Sequence, residues 1–245
     1  MSEEKKPATS SPKPGFSVTP LRYRNVFNAA RTFAKTGAPD PVVRYIRNNR
    51  NPTRPEQMSE RLRIAAYLVL CIRTKIMLTV DKGIANVVGA PPQEITRRRD
   101  VITKIVQWIT QVLRCHRDLT IKPEERERRK ELEDKMSEAV KRTFGDRVDT
   151  MWYVESLCTD PEHQGRGYGG ALLDSVTTLA DWASQTTWLQ SSNINNTAFY
   201  NMHGFVTVET VVLGDQNPTW NEAPVVVSIM VREPKSPSSG DAKVG

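Results

Sequence analysis

Between His163 and Leu173 the chain reads "HQGRGYGGALL", with Gly165, Gly167, Gly169 and Gly170 falling inside six positions just ahead of an apolar run. Positions without side chains let successive main-chain N–H groups turn toward one point. If a helix starts there, its dipole adds further preference for negative charge. The spacing therefore predicts a loop that grips an anion of the size of a pyrophosphate. Two common phosphate loops do not fit. Gly165-x-Gly167-x-x-Gly170 satisfies the dinucleotide-binding pattern, but that site needs an acidic residue roughly 20 positions on, at the end of the next strand. "TTWLQSS" has none there, and Asp181 falls inside the intervening helix. A P-loop would continue into Gly-Lys-Ser/Thr, which is absent.

A second spacing in the same stretch is more specific. Gln164-Gly165-Arg166-Gly167-Tyr168-Gly169 matches Gln/Arg-x-x-Gly-x-Gly/Ala, and Leu157-x-Thr159-x-Pro161 precedes it. Downstream, "NINNTAFYNMHGF" sets Phe199-Tyr200 three residues ahead of Gly204-Phe205. In that order these segments resemble the acetyl-CoA loop, the end of the fourth strand and the Asn-bearing helix of the GNAT superfamily of N-acetyltransferases. The resemblance is specific from Tyr153 to Phe205 and follows element order from about Phe16 to Arg232. Over 94–147 it is weakest, and that segment reads as a helical insertion.

The resemblance implies a set of roles. Main-chain N–H groups of Gln164, Gly165, Arg166, Gly167, Tyr168, Gly169 and Gly170 would cradle the diphosphate of acetyl-CoA, the cosubstrate, with the Arg166 side chain adding a charge contact. Leu157, Cys158 and Thr159 would pair their backbone with the pantetheine arm, because the fourth and fifth strands splay apart. Asn193 and Asn196 would face the cosubstrate. In a ternary complex an amine attacks the thioester directly, and an N–H near Leu157 stabilises the oxyanion. Tyr200 matches the position that protonates the leaving thiolate, a task suited to a phenol because its pKa lies above that of a thiol.

Glu155 is the candidate base, being the only carboxylate in "MWYVESLC". Strand alternation would put it on one side with Tyr153 and Leu157. A carboxylate in so apolar a strand is costly without a partner, so an ion pair with a nearby Arg or Lys is the competing reading. His163 is expected on the outer surface of the loop and His203 at a helix end. Cys158 is expected to be a core thiol, since direct transfer needs no acyl-cysteine. No metal is expected, and His116 has no partner at ligand spacing.

The elements that must hold these residues in place follow from periodicity. "FSVTPLRY" reads as a short strand and "NVFNAARTFAKTG" as a helix stopped by Gly37. "PEQMSERLRIAAYLVLCIRT" has Leu62, Ala65, Ala66, Val69 and Ile72 at helical spacing, predicting a core-facing stripe. "KIMLTV" and "IANVVGA" flank Asp81-Lys82-Gly83 as a hairpin. Val101, Ile102, Ile105, Ile109, Val112 and Leu113 repeat helically, and "EERERRKELEDK" continues as a charged helix with an apolar stripe of Leu132, Met136, Ala139 and Val140. Its acids and bases alternate at three and four, which favours intrahelical pairing and a solvated face over nucleic-acid binding. After Thr150 come a strand, a helix with Ala171, Leu172, Val176, Leu179 and Trp182 inward, a second strand, a short helix and two final strands. The fold class is thus α/β (α+β): a mixed, mostly antiparallel central sheet flanked by helices, the GNAT acyl-CoA N-acyltransferase fold. One domain is expected over 16–233, with disordered tails over 1–15 and 234–245.

Composition bounds the partners. The 245 residues have a net charge of +7 and three widely spaced cysteines without CxxC, which argues against a disulfide framework or a structural zinc site. No apolar run approaches the roughly 20 residues that span a bilayer, and the first residues lack a secretory core. The expected location is cytoplasmic, with the nucleus also open, and no membrane or nucleic-acid partner is expected. The expected acceptor is a small-molecule amine of the sort met in fungal secondary or detoxifying metabolism. Protein N-termini or lysines, or a non-catalytic CoA-binding module, are the alternatives. Self-association into a homodimer is compatible with the sequence.

Overall fold

A computed structural model describes residues 15–92 and 100–235. The expected tails at 1–15 and 234–245 lie almost wholly outside these residues, apart from Gly15, Pro234 and Lys235. The main-chain N–H of Lys235 donates to Asp181 at 2.9 Å.

Seven strands form one sheet: β1 (Thr19–Pro20), β2 (Ile76–Val80), β3 (Ala85–Ala90), β4 (Trp152–Thr159), β5 (Thr187–Ser191), β6 (Val206–Leu213) and β7 (Val225–Arg232). Their order is β1-β2-β3-β4-β5-β7-β6, and every neighbouring pair is antiparallel except β4 with β5. The mixed, mostly antiparallel sheet expected from the sequence is the one observed. At the β2–β3 turn Asp81 and Lys82 take φ of 46° and 57°, and Gly83 takes 115°. A Cβ at Gly83 would stand 2.7 Å from the Ala29 nitrogen, so the glycine is required both by its dihedral and by a close approach.

The helices are α1 (Val26–Gly37), α2 (Pro41–Ile46), α3 (Arg54–Thr74), α4 (Val101–Thr120), α5 (Pro123–Phe144), α6 (Tyr168–Trp182) and α7 (Thr197–Met202). Strand alternation divides the core between the two faces of the sheet. Trp152, Val154, Leu189 and Met230 pack with Leu172, Leu173 and Val176 of α6 and with Tyr200 and Phe205. On the other face Trp188, Ile229 and Val231 meet Tyr45 and Ile46 of α2 and Met136 and Ala139 of α5. There too Met77 and Val88 meet Ala29 and Ala30 of α1 and Ala65, Leu68 and Cys71 of α3.

Two expectations about faces are corrected, and the repeat in α4, for which no side was predicted, turns out to face away from the core. In α3 the buried stripe is Ala65, Leu68 and Cys71, while Leu62 is exposed, because that side meets α1 and the Met77 and Val88 positions of β2 and β3. In α6 Trp182 is exposed at the last turn, and Tyr168, Leu173, Thr177 and Ala180 join Leu172 and Val176 inside. In α4 the apolar stripe points outward: Val101, Ile102, Ile105, Ile109 and Val112 are exposed and Thr103 is the buried residue.

The charged helix α5 forms the expected i,i+4 pairs, among them Glu124–Arg128, Glu125–Arg129 and Lys130–Asp134. Its face is nevertheless not wholly solvated. Arg128 is fully buried, with its guanidinium 4.9 Å from the Tyr45 ring and 5.4 Å from the Trp220 ring, and it donates to the Tyr45 carbonyl at 2.6 Å. The residue that reads as a surface charge therefore fastens α5 to α2 and to the β6–β7 connection.

Candidate functional site

The sheet opens where its one parallel pair ends. β4 and β5 are joined through Trp152–Thr187, Tyr153–Trp188 and Val154–Leu189, and beyond that point they diverge. Glu155 to Thr159 thus present an edge toward the gap, which includes the Leu157–Thr159 segment where the resemblance implies that the strands splay. A cleft of about 850 Å³ fills the gap and reaches both faces of the sheet. One end is walled by the glycine loop, the start of α6, Phe199 and Tyr200. The other is walled by Phe33, Thr36, Pro39, Val42 and Val43 from α1, α2 and their connection.

The loop has the conformation its glycines permit. Gly165 and Gly167 lie at φ of 75° and 80°, and Gly167 caps the N-terminus of α6 in the left-handed region. A Cβ added at either would meet only open space, so these glycines are required by dihedral rather than by crowding. The N–H groups of Tyr168, Gly169 and Gly170 belong to the first turn of α6, where no intrahelical carbonyl can reach them. Among the described residues none of the N–H groups from Gly165 to Gly170 has a hydrogen-bond partner. The loop is set in place from outside: Lys35 of α1 pairs with Asp160 at 3.0 Å, and Asp160 accepts from the Glu162 N–H at 3.1 Å. Gln164 donates its side-chain amide to the Thr159 carbonyl at 3.3 Å.

The cleft gathers nearly every residue singled out in the sequence. Glu155, Leu157, Cys158, Thr159, Gln164, Gly165, Gly167, Tyr168, Gly169, Gly170, Asn193, Asn196 and Tyr200 all line it. Arg166 is exposed and stands outside the lining. Tyr200 is buried, with its ring packed edge-on against Phe199 at 5.2 Å, and burial pushes its hydroxyl from 10.0 up to about 12. Burial likewise pushes the Cys158 thiol up to about 12, leaving it a poor nucleophile. Asn193 accepts from the Asn195 N–H at 3.0 Å and so shapes the turn leading into α7.

Glu155 departs from simple alternation. Val88 pairs with Ser156 and Gly89 with Val154, so Glu155 is the extra residue of a β-bulge. Tyr153 consequently packs with one face of the sheet and Leu157 with the other, and the shared side predicted for these three does not exist. Glu155 lines the cleft, and its carboxylate pairs with Lys75, which stands outside the lining. Tyr67 lies beside the pair: burial, then the neighbouring Cys71 and Glu155, push its phenol well above the usual range.

Several residues at or beside the cleft escaped the sequence reading. His163 lines the cleft rather than the outer surface, with Nδ1 buried and no hydrogen-bond partner among the described residues. Lys75, isolated at a strand start, carried no signal. Asp40 did carry one, standing just before Pro41 and an apolar run as an N-cap should. It accepts from the N–H groups of Val42 at 2.9 Å and Val43 at 3.3 Å, and Ser192 donates to its other oxygen across the cleft. The wall opposite the glycine loop comes from residues 33–43, and α3, α4 and α5 contribute none of the lining.

Comparison with known proteins gives a consistent result. The family model described as "Acetyltransferase (GNAT) domain" matches residues 133–207, from the second half of α5 to the start of β6. An uncharacterized N-acetyltransferase of Schizosaccharomyces pombe is 28% identical over 96 residues, 39% of this chain and 37% of that protein. The match thus spans little more than a third of the curated relative. Among solved structures, arylalkylamine N-acetyltransferase 2 from Aedes aegypti aligns with a TM-score of 0.58 at 14% identity, over 90% of this chain and 100% of that one. A structure described as histone acetyltransferase HPA2 and related acetyltransferase, from Corynebacterium glutamicum, aligns with a TM-score of 0.54 at 14% identity, over 91% and 98%. These two likenesses establish the fold.

Proposed function

We propose that this chain is a member of the GNAT superfamily and an acetyl-CoA-dependent N-acetyltransferase acting on a primary amine of a small molecule; the family-model match over 133–207 and the N-acetyltransferase relative support this reading. The observation that carries this reading is the row of unpartnered N–H groups from Gly165 to Gly170, at the mouth of a cleft that also holds Tyr200 and Glu155. The donors at the start of α6 suit a diphosphate, with the helix dipole adding to the attraction. The β4 edge from Leu157 to Thr159 suits an amide-bearing arm that needs main-chain partners. Together they would bring a thioester beside the split in the sheet.

Each polar group near that point has a task it can perform. Tyr200, held protonated by burial, donates a proton to the departing thiolate. A main-chain N–H near Leu157 stabilises negative charge on the carbonyl oxygen under attack. Glu155, a residue of the cleft lining paired with Lys75, takes the proton of the incoming ammonium, directly or through a water. Cys158 takes no part as an acyl carrier, so transfer is direct within a ternary complex. The acceptor wall joins Phe33, Pro39, Val42 and Val43 to the carboxylates of Asp40 and Glu155, which favours an amine on an apolar body.

The test is release of free CoA thiol from acetyl-CoA in the presence of phenethylamine, tryptamine, spermidine and a short peptide. Turnover fastest with the two apolar amines is the expected outcome. Preference for the peptide would move the protein among peptide acetyltransferases, and binding without turnover on any amine would make it a CoA-binding module.

A further inference from the structure

Helix α4 faces the wrong way for a helix that serves only its own fold. Thr103 is its one fully buried residue, and Val106, Thr110, Leu113 and Arg117 are half-buried on the same side. The opposite side carries Val101, Ile105, Trp108, Val112, Cys115 and Leu119, all exposed, with Ile102 and Ile109 exposed along one flank. Trp108 is 67% and Leu119 82% exposed. The steps between the six are 4, 3, 4, 3 and 4, the spacing of a coiled-coil seam. The segments of this chain outside the described residues hold only Met1, Ile95 and Val244 as large apolar residues, too few to cover it.

We propose that α4 docks against α4 of a second copy of this chain, antiparallel about a two-fold axis at Thr110. The six seam positions are symmetric about that residue: Val101 mirrors Leu119, Ile105 mirrors Cys115, and Trp108 mirrors Val112. Each copy therefore offers the surface the other needs, which is the requirement for an isologous interface. The flank formed by Lys104, Gln111 and Asp118 is also self-complementary. In an antiparallel pair Lys104 approaches Asp118 of the second copy, and Gln111 approaches its own counterpart. Lys104 is exposed, and Asp118, bound to Arg117, keeps 45% of its side chain exposed. A 20-residue helix is roughly 30 Å long. Pairing along that length brings the buried area to the roughly 1,000 Å² that a specific interface needs.

Sedimentation velocity of the full chain should give twice the 27.7 kDa chain mass at micromolar concentration. Ile105→Glu combined with Val112→Glu should give monomer with unchanged circular dichroism, since both side chains are solvent-exposed within one chain. Lys104→Asp or Asp118→Lys alone should weaken dimerisation about fivefold, and the two together should restore it. Ile105→Cys would place a thiol opposite Cys115 of the second copy, so mild oxidation should yield a covalent dimer whose mapped link joins 105 to 115. A wild-type chain that is monomeric at every concentration would overturn the proposal. So would a dimer indifferent to the glutamates, a 115–115 link, or a monomer that floats with phosphatidylserine vesicles.

Discussion

Tyr200 shows why burial matters more than residue type at this site. A phenol at its ordinary value of 10.0 would begin to lose its proton in alkali, but exclusion from water holds Tyr200 at about 12. It therefore stays protonated wherever a thiol, with a pKa near 8.5, leaves as its anion. The turnover number should show no downward limb as pH passes 10. Tyr200→Phe should lower it by about 10²-fold or more, with the KM for acetyl-CoA unchanged. Steady-state kinetics of both proteins across pH check this, and an unchanged turnover number in the variant removes Tyr200 from the chemistry. Glu155 makes the complementary point. Of its two sequence readings the structure shows the ion pair, formed with Lys75 from a bulged position of β4, and the base role belongs to the proposed mechanism.

At the scale of elements, the glycine loop, the strand ahead of it and the Phe-Tyr helix were legible because each is written in local residue types: glycines at left-handed positions, alternating apolar residues, an Asn-rich turn. What was not legible depended on partners distant in sequence. Glu155 sits at a bulge set by its pairing with Val88 and Gly89, which no count along β4 alone reveals. Arg128 reads as a surface charge until Tyr45 and Trp220, far away in sequence, close around it. The apolar repeat of α4 has helical period in either direction, so periodicity finds the stripe without saying which side meets the fold.

Local signals also carry stability. At the start of α3 the Glu56 carboxylate pairs with Arg50 at 2.8 Å and accepts from the Thr53 N–H at 2.7 Å, closing a capping box. Arg50, then the Thr53 N–H, hold its pKa down from 4.5 to about 2. A carboxylate so depressed contributes stability that is full above 4.5 and fades as pH falls toward 2. Glu56→Gln should thus be less stable than wild type at neutral pH, with the gap closing through that acid window. Its half-exposed setting keeps the effect modest. Urea denaturation across the window measures it, and a gap that stays constant with pH contradicts the assignment.

For the molecule as a whole, the sheet is the instrument. One parallel pair that stops at Val154 and Leu189 leaves β4 with a free edge, and the resulting cleft lies between the glycine loop and the apolar wall of residues 33–43, which the proposed function assigns to the diphosphate and the amine. The lower part of the chain, α3 to α5, braces this arrangement without lining it. The central claim is that main-chain N–H groups between Gln164 and Gly170 hold the diphosphate of coenzyme A. Titration calorimetry with acetyl-CoA and with S-acetylpantetheine, which shares the thioester arm but lacks the diphosphate, tests it most directly. Saturable one-to-one binding of acetyl-CoA, at least about 10²-fold tighter than that of the truncated thioester, is the predicted result. Equal affinity for the two, or no heat with either on folded protein, would contradict it.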